Sequence, residues 1–130
     1  MNMYRRRALS RHRFETLVRR ALRGLPTWVR ERMDNVDIVV LPRPTAAQRA
    51  RLGLRPRDDL LGLYVGTDLT RRGDGYTFAL PDRIYLFQEA IERHARDRAS
   101  LEAVVRETIV HEIAHHFGIS DARLRELERY

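Results

Sequence analysis

The sequence contains no cysteine and no lysine, and it has no long apolar run. Without cysteine, neither a disulfide bond nor a thiolate metal site can form. No apolar stretch approaches the roughly 20 residues that a helix needs to cross a bilayer, so we expect no membrane partner. The N-terminal residues 1–10 are basic but lack the apolar segment of a secretory signal, which makes the cytoplasm the expected compartment.

Positive charge is concentrated near the N-terminus. Residues 1–32 contain ten Arg against Glu15 and Glu31, whereas the other 98 residues carry 15 Arg against 16 acidic residues. Residues 1–11 are Arg-rich with nothing to bury, so we predict a flexible basic arm followed by a single domain over residues 12–130. No recognised nucleic-acid-binding module accompanies the arm, and a solvated tail is favoured over a nucleic-acid partner.

The spacing of apolar residues predicts an α+β domain, a small sheet with helices before and after it. Within it, Ser100 is the predicted N-cap of a long helix that Gly118 ends, and Gly62 indicates a bulge or a close backbone approach. The predicted elements are a helix over 12–25, a helical turn after Pro26, a strand over 36–41, a short helix over 46–52, a strand over 60–65, a loop over 67–75, an extended piece over 76–80, a strand over 83–87, and helices over 88–94, 101–117 and 121–130.

One segment, His-Glu-Ile-Ala-His at positions 111–115, carries the clearest chemical signal. His111 and His115 are four residues apart on the predicted long helix, so their side chains emerge on one face. Two imidazole nitrogens at this spacing can converge on one ion at about 2.0–2.1 Å. Apolar residues at 110, 113, 114 and 117 fall on the opposite side and would anchor the helix to the core. The sequence therefore predicts one metal ion per chain, bound by His111 and His115.

Glu112 lies about 100° around the helix from His111, at the edge of the same face. There a carboxylate can reach a metal-bound water, whose pKa zinc lowers toward about 7, and take its proton as the water attacks a carbonyl. Glu112 is therefore the predicted catalytic general base. His116, in contrast, points away from His115, and we interpret it as an ordinary surface or partly buried histidine.

A tetrahedral zinc site needs a third protein ligand, which the helix alone cannot provide. Asp121 follows Gly118, ten residues after His111, and offers a hard oxygen donor. The alternative is that Ser120-Asp121 caps the last helix. Both interpretations stay open, and a donor set of two His and one Asp also admits divalent ions other than zinc.

Three segments together resemble the small bacterial zincin-like metallopeptidase family. They read Leu-Leu-Gly-Leu-Tyr, Ala-Leu-Pro-Asp-Arg-Ile-Tyr-Leu-Phe and His-Glu-Ile-Ala-His-His-Phe-Gly-Ile-Ser-Asp, and the last contains the motif His-Glu-x-x-His-x-x-Gly-x-x-Asp. The resemblance implies a minimal zincin-like fold, in which a small mixed sheet packs on the long zinc-motif helix with further helices N-terminal to it. It also implies that His111, His115 and Asp121 bind Zn²⁺ and that Glu112 acts beside the metal.

Two functions follow from these residues. The first is a zinc-dependent peptidase that hydrolyses an unidentified peptide or protein, with an exposed strand over 60–65 pairing with the substrate backbone. The second is a metal-binding domain, catalytically weak or inactive, that acts through a protein partner. The nine residues after Asp121 leave no room for a C-terminal subdomain, which would weaken substrate binding. Glu112 favours the peptidase, since a purely structural site has no use for a carboxylate there.

Overall fold

The computed structural model describes residues 8–67 and 80–128, without the side chain of residue 128. Residues 1–7 of the predicted arm lie outside the described part. So do residues 68–79, which include most of the predicted loop and nearly all of the extended piece predicted over 76–80.

Helices stand before and after the strands of the described chain, with one short helix between the first two strands. In chain order they are α1 (Arg11–Arg23), α2 (Thr27–Glu31), β1 (Val36–Leu41), α3 (Ala46–Leu52), β2 (Gly62–Val65), β3 (Asp82–Phe87), α4 (Gln88–His94), α5 (Arg98–His116) and α6 (Asp121–Glu128). The predicted α+β class is confirmed.

The long helix α5 begins earlier than the sequence predicts. Asp97 is its N-cap, because the Asp97 side chain accepts a hydrogen bond from Ser100 N at 2.9 Å and Ser100 Oγ accepts one from Asp97 N at 3.2 Å. The prediction of Ser100 as the cap was therefore wrong: Ser100 is the second partner of a capping box. At the other end, Gly118 adopts a left-handed φ of 70°, as the prediction for a residue that ends the helix requires.

Residues just before α1 contact α4. Ser10 caps α1 by accepting from Arg13 N, and Leu9 N donates to Glu92 Oε1 at 3.0 Å. Gln88 Nε2 donates to Leu9 O at 2.7 Å. These bonds attach the end of the predicted arm to the helix that follows β3, while the boundary between arm and domain stays a prediction.

The sheet is mixed, with strand order β1-β3-β2. β1 runs parallel to β3, and β2 runs antiparallel to it with Gly62 opposite Leu86 and Tyr64 opposite Ile84. The bond from Phe87 N to Leu61 O, at 2.9 Å, fixes which β2 residues bond to β3. Along an antiparallel strand, every second residue directs its backbone N–H and C=O groups toward the neighbouring strand. Leu61 and Leu63 do so toward β3, and the backbone groups of Gly62 and Tyr64 therefore face the free edge of the sheet.

Helix α5 is the centre of the core. It contacts α1 on one side and β2 and β3 on the other. Its buried residues therefore surround much of the helix, and they are Leu101, Val104, Val105, Thr108, Ile109, Val110, Ile113 and Ala114. At the C-terminal turns of α5, the face that carries His111 and His115 is exposed.

At Gly62, β2 passes very close to α5. A Cβ built on Gly62 would lie 2.7 Å from Thr108 Cγ2 and 3.2 Å from Tyr85 O. Thr108 is held in place by the bond from its Oγ1 to Val104 O, at 2.8 Å. The close backbone approach predicted for Gly62 is confirmed, and it depends on the missing side chain.

Replacing Gly62 with Ala should destabilise the fold, because the added methyl group overlaps the Thr108 side chain. Overpacking of this kind lowers the free energy of unfolding by about 1–3 kcal/mol, which urea denaturation would measure. The double variant Gly62→Ala/Thr108→Ser should recover most of the loss, since serine lacks Cγ2 but keeps the hydroxyl bond.

Gly66→Ala is the matched control, at the opposite end of the same strand. Its Cβ would meet nothing closer than 3.7 Å, so its free energy of unfolding should stay within about 1 kcal/mol of the wild type. Equal destabilisation by the two alanines, or no recovery in the double variant, would show that the contact with Thr108 is not the constraint.

Candidate metal centre

The last turns of α5 present both histidines of the motif to solvent. His111 and His115 are exposed, and their ring centroids lie 6.4 Å apart with an interplanar angle of 60°. His111 Nδ1 lies 2.7 Å from Glu107 O. Since a ligating imidazole usually donates its second ring N–H to such an acceptor, this contact leaves His111 Nε2 available for a metal.

Glu112 lies on the side of α5 that meets the free edge of β2. Its Oε1 accepts a hydrogen bond from Tyr64 N at 2.9 Å. Burial raises the pKa of Glu112, while the Tyr64 bond and the charges of His115 and His111 offset part of that effect. A carboxylate with a raised pKa holds a transferred proton more readily, as a general base requires.

Asp121 is the first residue of α6, and it does not cap that helix with its side chain. Ser120 does so, because Ser120 Oγ accepts from Arg123 N at 3.1 Å. Asp121 is exposed, and its side chain makes no hydrogen bond or ion pair with the described residues. The Asp121 carboxylate therefore does not cap α6, which was the alternative role that the sequence allowed.

The described residues do not form a complete ligand set. Within the described ranges, no group of three or more His, Asp or Glu side chains is close enough to hold a metal ion. The chemistry of the donors fits zinc in part: two imidazoles share one face, and Nδ1 of His111 is anchored. Asp121 is not brought together with His111 and His115, so its role as the third ligand stays a prediction.

A second polar cluster lies beside the motif, and the sequence did not reveal it. Tyr64 Oη donates to Asp82 Oδ2 at 2.6 Å, and Thr67 N donates to Asp82 Oδ1 at 2.8 Å. The His116 ring stacks on Tyr64 with centroids 3.8 Å apart and planes 16° apart. His116, expected to be an ordinary histidine, therefore joins the end of α5 to β2.

The hydrogen bonds of this cluster shift the ionisation of both partners. Burial would raise the pKa of Asp82, but the bonds from Tyr64 and Thr67 and the charge of His116 outweigh it, so the pKa lies below its usual value. Burial and the bond to Asp82 raise the pKa of Tyr64. The pair is thus a neutral phenol that donates to an ionised carboxylate.

A surface groove runs from the motif along the beginning of β2. It has a volume of about 350 Å³ and passes between the strand and α5. The residues that line it are Asp59, Leu60, Leu61, Gly62, His94, Val104, Glu107, Thr108, His111 and Glu112. Glu112 and His111 therefore lie in a cleft that borders the strand edge.

The family model described as zincin-like metallopeptidase matches residues 33–130. The chain belongs to the zincin-like metallopeptidase family. The resemblance predicted from the sequence is confirmed, and membership favours a metallopeptidase activity and zinc as the metal.

A solved structure shares the zincin-like fold of this chain. It is a conserved hypothetical protein from Thermo thermophilus, with 23% sequence identity and a TM-score of 0.52. The match covers 84% of this chain and 94% of that one, and at this identity it shows the fold alone. No curated protein sequence matches the chain. In the described ranges, no helix is both long and apolar enough to pass through a membrane.

Replacing Tyr64 with Phe should lower stability in a pH-dependent way. The lowered pKa of Asp82 contributes stability that is present above its unfolded value of 3.8 and is lost as the pH falls through the folded value. At pH 7 the lost charge-assisted bond should cost about 1–3 kcal/mol in urea denaturation. The difference from the wild type should shrink once the pH falls below 3.8.

Tyr85→Phe is the matched control in the neighbouring strand. The Tyr85 hydroxyl accepts one exposed bond from Arg83, at 3.5 Å, so its loss should change stability by less than about 0.5 kcal/mol at either pH. A Tyr64→Phe deficit that stays constant between pH 7 and pH 3 would contradict the role given to Asp82.

Proposed function

We propose that this protein is a zinc-dependent metallopeptidase that hydrolyses peptide bonds in extended peptides. The observation that carries the proposal is the position of Glu112. Its carboxylate lies on the same helix turns as His111 and His115 and accepts a hydrogen bond from the free edge of β2, through Tyr64 N. A potential general base, two zinc donors and a peptide-binding edge therefore lie side by side.

The free edge of β2 is suited to bind the substrate backbone. An extended peptide can add to an exposed strand by main-chain hydrogen bonds, with the outward-facing groups of Gly62 and Tyr64 as partners. Tyr64 N donates a hydrogen bond to Glu112 Oε1. A peptide that takes over this donor would release Glu112 Oε1 at the moment when the carboxylate is needed.

In the proposed mechanism, His111 and His115 would bind zinc and Asp121 would complete the ligand set. When bound, zinc would supply a Lewis acid that polarises the scissile carbonyl and makes a water more acidic. Glu112 accepts a proton from the attacking water as the new C–O bond forms. Glu112 then gives this proton to the amide nitrogen as the C–N bond breaks, which releases the amine.

A second candidate function is a metal-binding domain without hydrolytic activity that acts through a protein partner. The observation that favours it is the incomplete ligand set, since Asp121 stands apart from the two histidines within the described residues. In that case Glu112 would serve as a partner for Tyr64 N alone.

Zinc stoichiometry tests the metal site directly. We expect one zinc per chain by elemental analysis after excess ion is removed, complete loss in His115→Ala, and about a tenfold or greater loss of affinity in Asp121→Ala. His116→Ala is the matched control, because it removes a neighbouring imidazole and should leave the stoichiometry at one. A wild type that retains no zinc would exclude both proposed functions.

Peptide cleavage separates the two candidates once zinc binds. Cleavage of a proteome-derived peptide library, followed by mass spectrometry, should be detectable for the zinc-loaded wild type and reduced by at least about a hundredfold in Glu112→Gln. This variant keeps an oxygen for the Tyr64 N bond and should bind zinc normally. Tight zinc binding with no cleavage by the wild type would favour the non-hydrolytic domain.

A further inference from the structure

Helix α3 lies over the face of the sheet that is turned away from α5. Gly62 and Tyr64 face α5, since the Cβ of Gly62 would meet Thr108 and the Tyr64 ring stacks on His116. Side chains alternate along a strand, so Leu63 and Val65 point to the opposite face. On that face they line a groove together with α3, a helix that begins with a Thr45–Gln48 capping box and has no fully buried residue.

None of the α3 residues is fully buried, and space remains between the helix and the sheet. We call this space the outer groove, and its volume is about 620 Å³. The residues that line it include Gln48, Arg51 and Leu52 of α3, Leu63 and Val65 of β2, and Tyr85 of β3. This volume is of the size that accommodates small ligands or a few side chains, and is too small for a folded domain.

The outer groove has an apolar floor and a basic rim. Leu63, Val65 and Tyr85 are each only partly buried, and Leu52 is 42% exposed. Arg51 stands at the rim, and no acidic residue is found among the described residues that line the groove. These features favour an apolar side chain in the groove, with a negative charge beside it.

The outer groove is continuous with the free edge of β2. A peptide that adds to this edge would lie about 4.8 Å from β2 and turn alternate side chains to the two faces of the sheet. Those on one face would point toward α5 and Glu112. Those on the other face would stand about 5 Å from Leu63 and Val65, measured between Cβ atoms of cross-strand neighbours.

We propose that the outer groove is a specificity subsite for the substrate peptide. It binds large apolar side chains at alternate positions of the peptide, and Arg51 favours an acidic residue next to them. This inference rests on the proposed function in that the peptide is taken to add to β2, but it requires no cleavage. The substrate class is therefore an extended segment in which aliphatic or aromatic residues alternate with polar ones, near an acidic residue.

Binding to the zinc-loaded Glu112→Gln protein tests the subsite without turnover. Two fluorescein-labelled peptides of equal length, with glutamate at both ends, would alternate Leu with Ser in one and Thr with Ser in the other. Fluorescence anisotropy should give at least about tenfold tighter binding for the Leu peptide, since each leucine removes more apolar area from water. The alternation makes the result independent of the register in which the peptide adds.

Variants of the groove identify where the preference arises. Leu52→Asp and Val65→Asp, each added to Glu112→Gln, should abolish the difference between the two peptides. Leu80→Asp is the matched control, because Leu80 is another exposed leucine, 60% accessible, that does not line the groove. Arg51→Glu should weaken binding of the Leu peptide with glutamate ends and strengthen binding of the same peptide with lysine ends.

Each outcome decides the inference. Equal affinity for the two peptides, binding of neither, or a preference that survives both groove variants would overturn it. The inference would also be overturned if the protein formed a dimer that dissociates in the Leu52→Asp variant but not when the Leu peptide is added. A second copy of the chain would then occupy the groove. Selective binding without cleavage by the zinc-loaded wild type would leave the subsite standing and overturn only the peptidase proposal.

Discussion

The packing of β2 against α5 at Gly62 is the constraint on which the candidate site depends. With no Cβ on Gly62, the strand comes so near the helix that a single methyl group would lie 2.7 Å from Thr108 Cγ2. Two residues further on, the same proximity lets Tyr64 N reach Glu112 and lets the Tyr64 ring stack on His116. A slightly wider spacing would separate the Glu112 carboxylate from the strand edge and the His116 ring from Tyr64.

The sequence predicted the parts of this structure that depend on local spacing. The 3.6-residue period placed α5, the β-branched run placed β1, and the four-residue separation placed His111 and His115 on one face. Contacts between residues far apart in the sequence could not be predicted in this way. Asp82 and Tyr64 are joined only because β2 runs antiparallel to β3, and nothing in the sequence specifies that alignment. The start of α5 was misplaced because a capping box contains two polar residues, either of which resembles a cap.

Asp121 shows how far residue counting can go in a metal motif. The spacing from His111 fixes the length of chain available to a third ligand, but the turn after the helix fixes its direction. Gly118 has a φ of 70°, and Ile119 N donates to Ala114 O at 2.8 Å. Ser120 then caps α6. These backbone bonds determine how far the Asp121 carboxylate is from the two imidazoles. The spacing of residues in the motif does not predict that distance.

The bond between Tyr64 N and Glu112 also has a consequence for solubility. An unpaired strand edge is a template on which other chains can assemble into larger sheets, and proteins commonly block it with charge or keep it short. β2 has four residues, and an acidic side chain of its own domain covers one of its outward donors. The carboxylate that would serve hydrolysis would thus also hinder self-association at the edge proposed to bind the peptide.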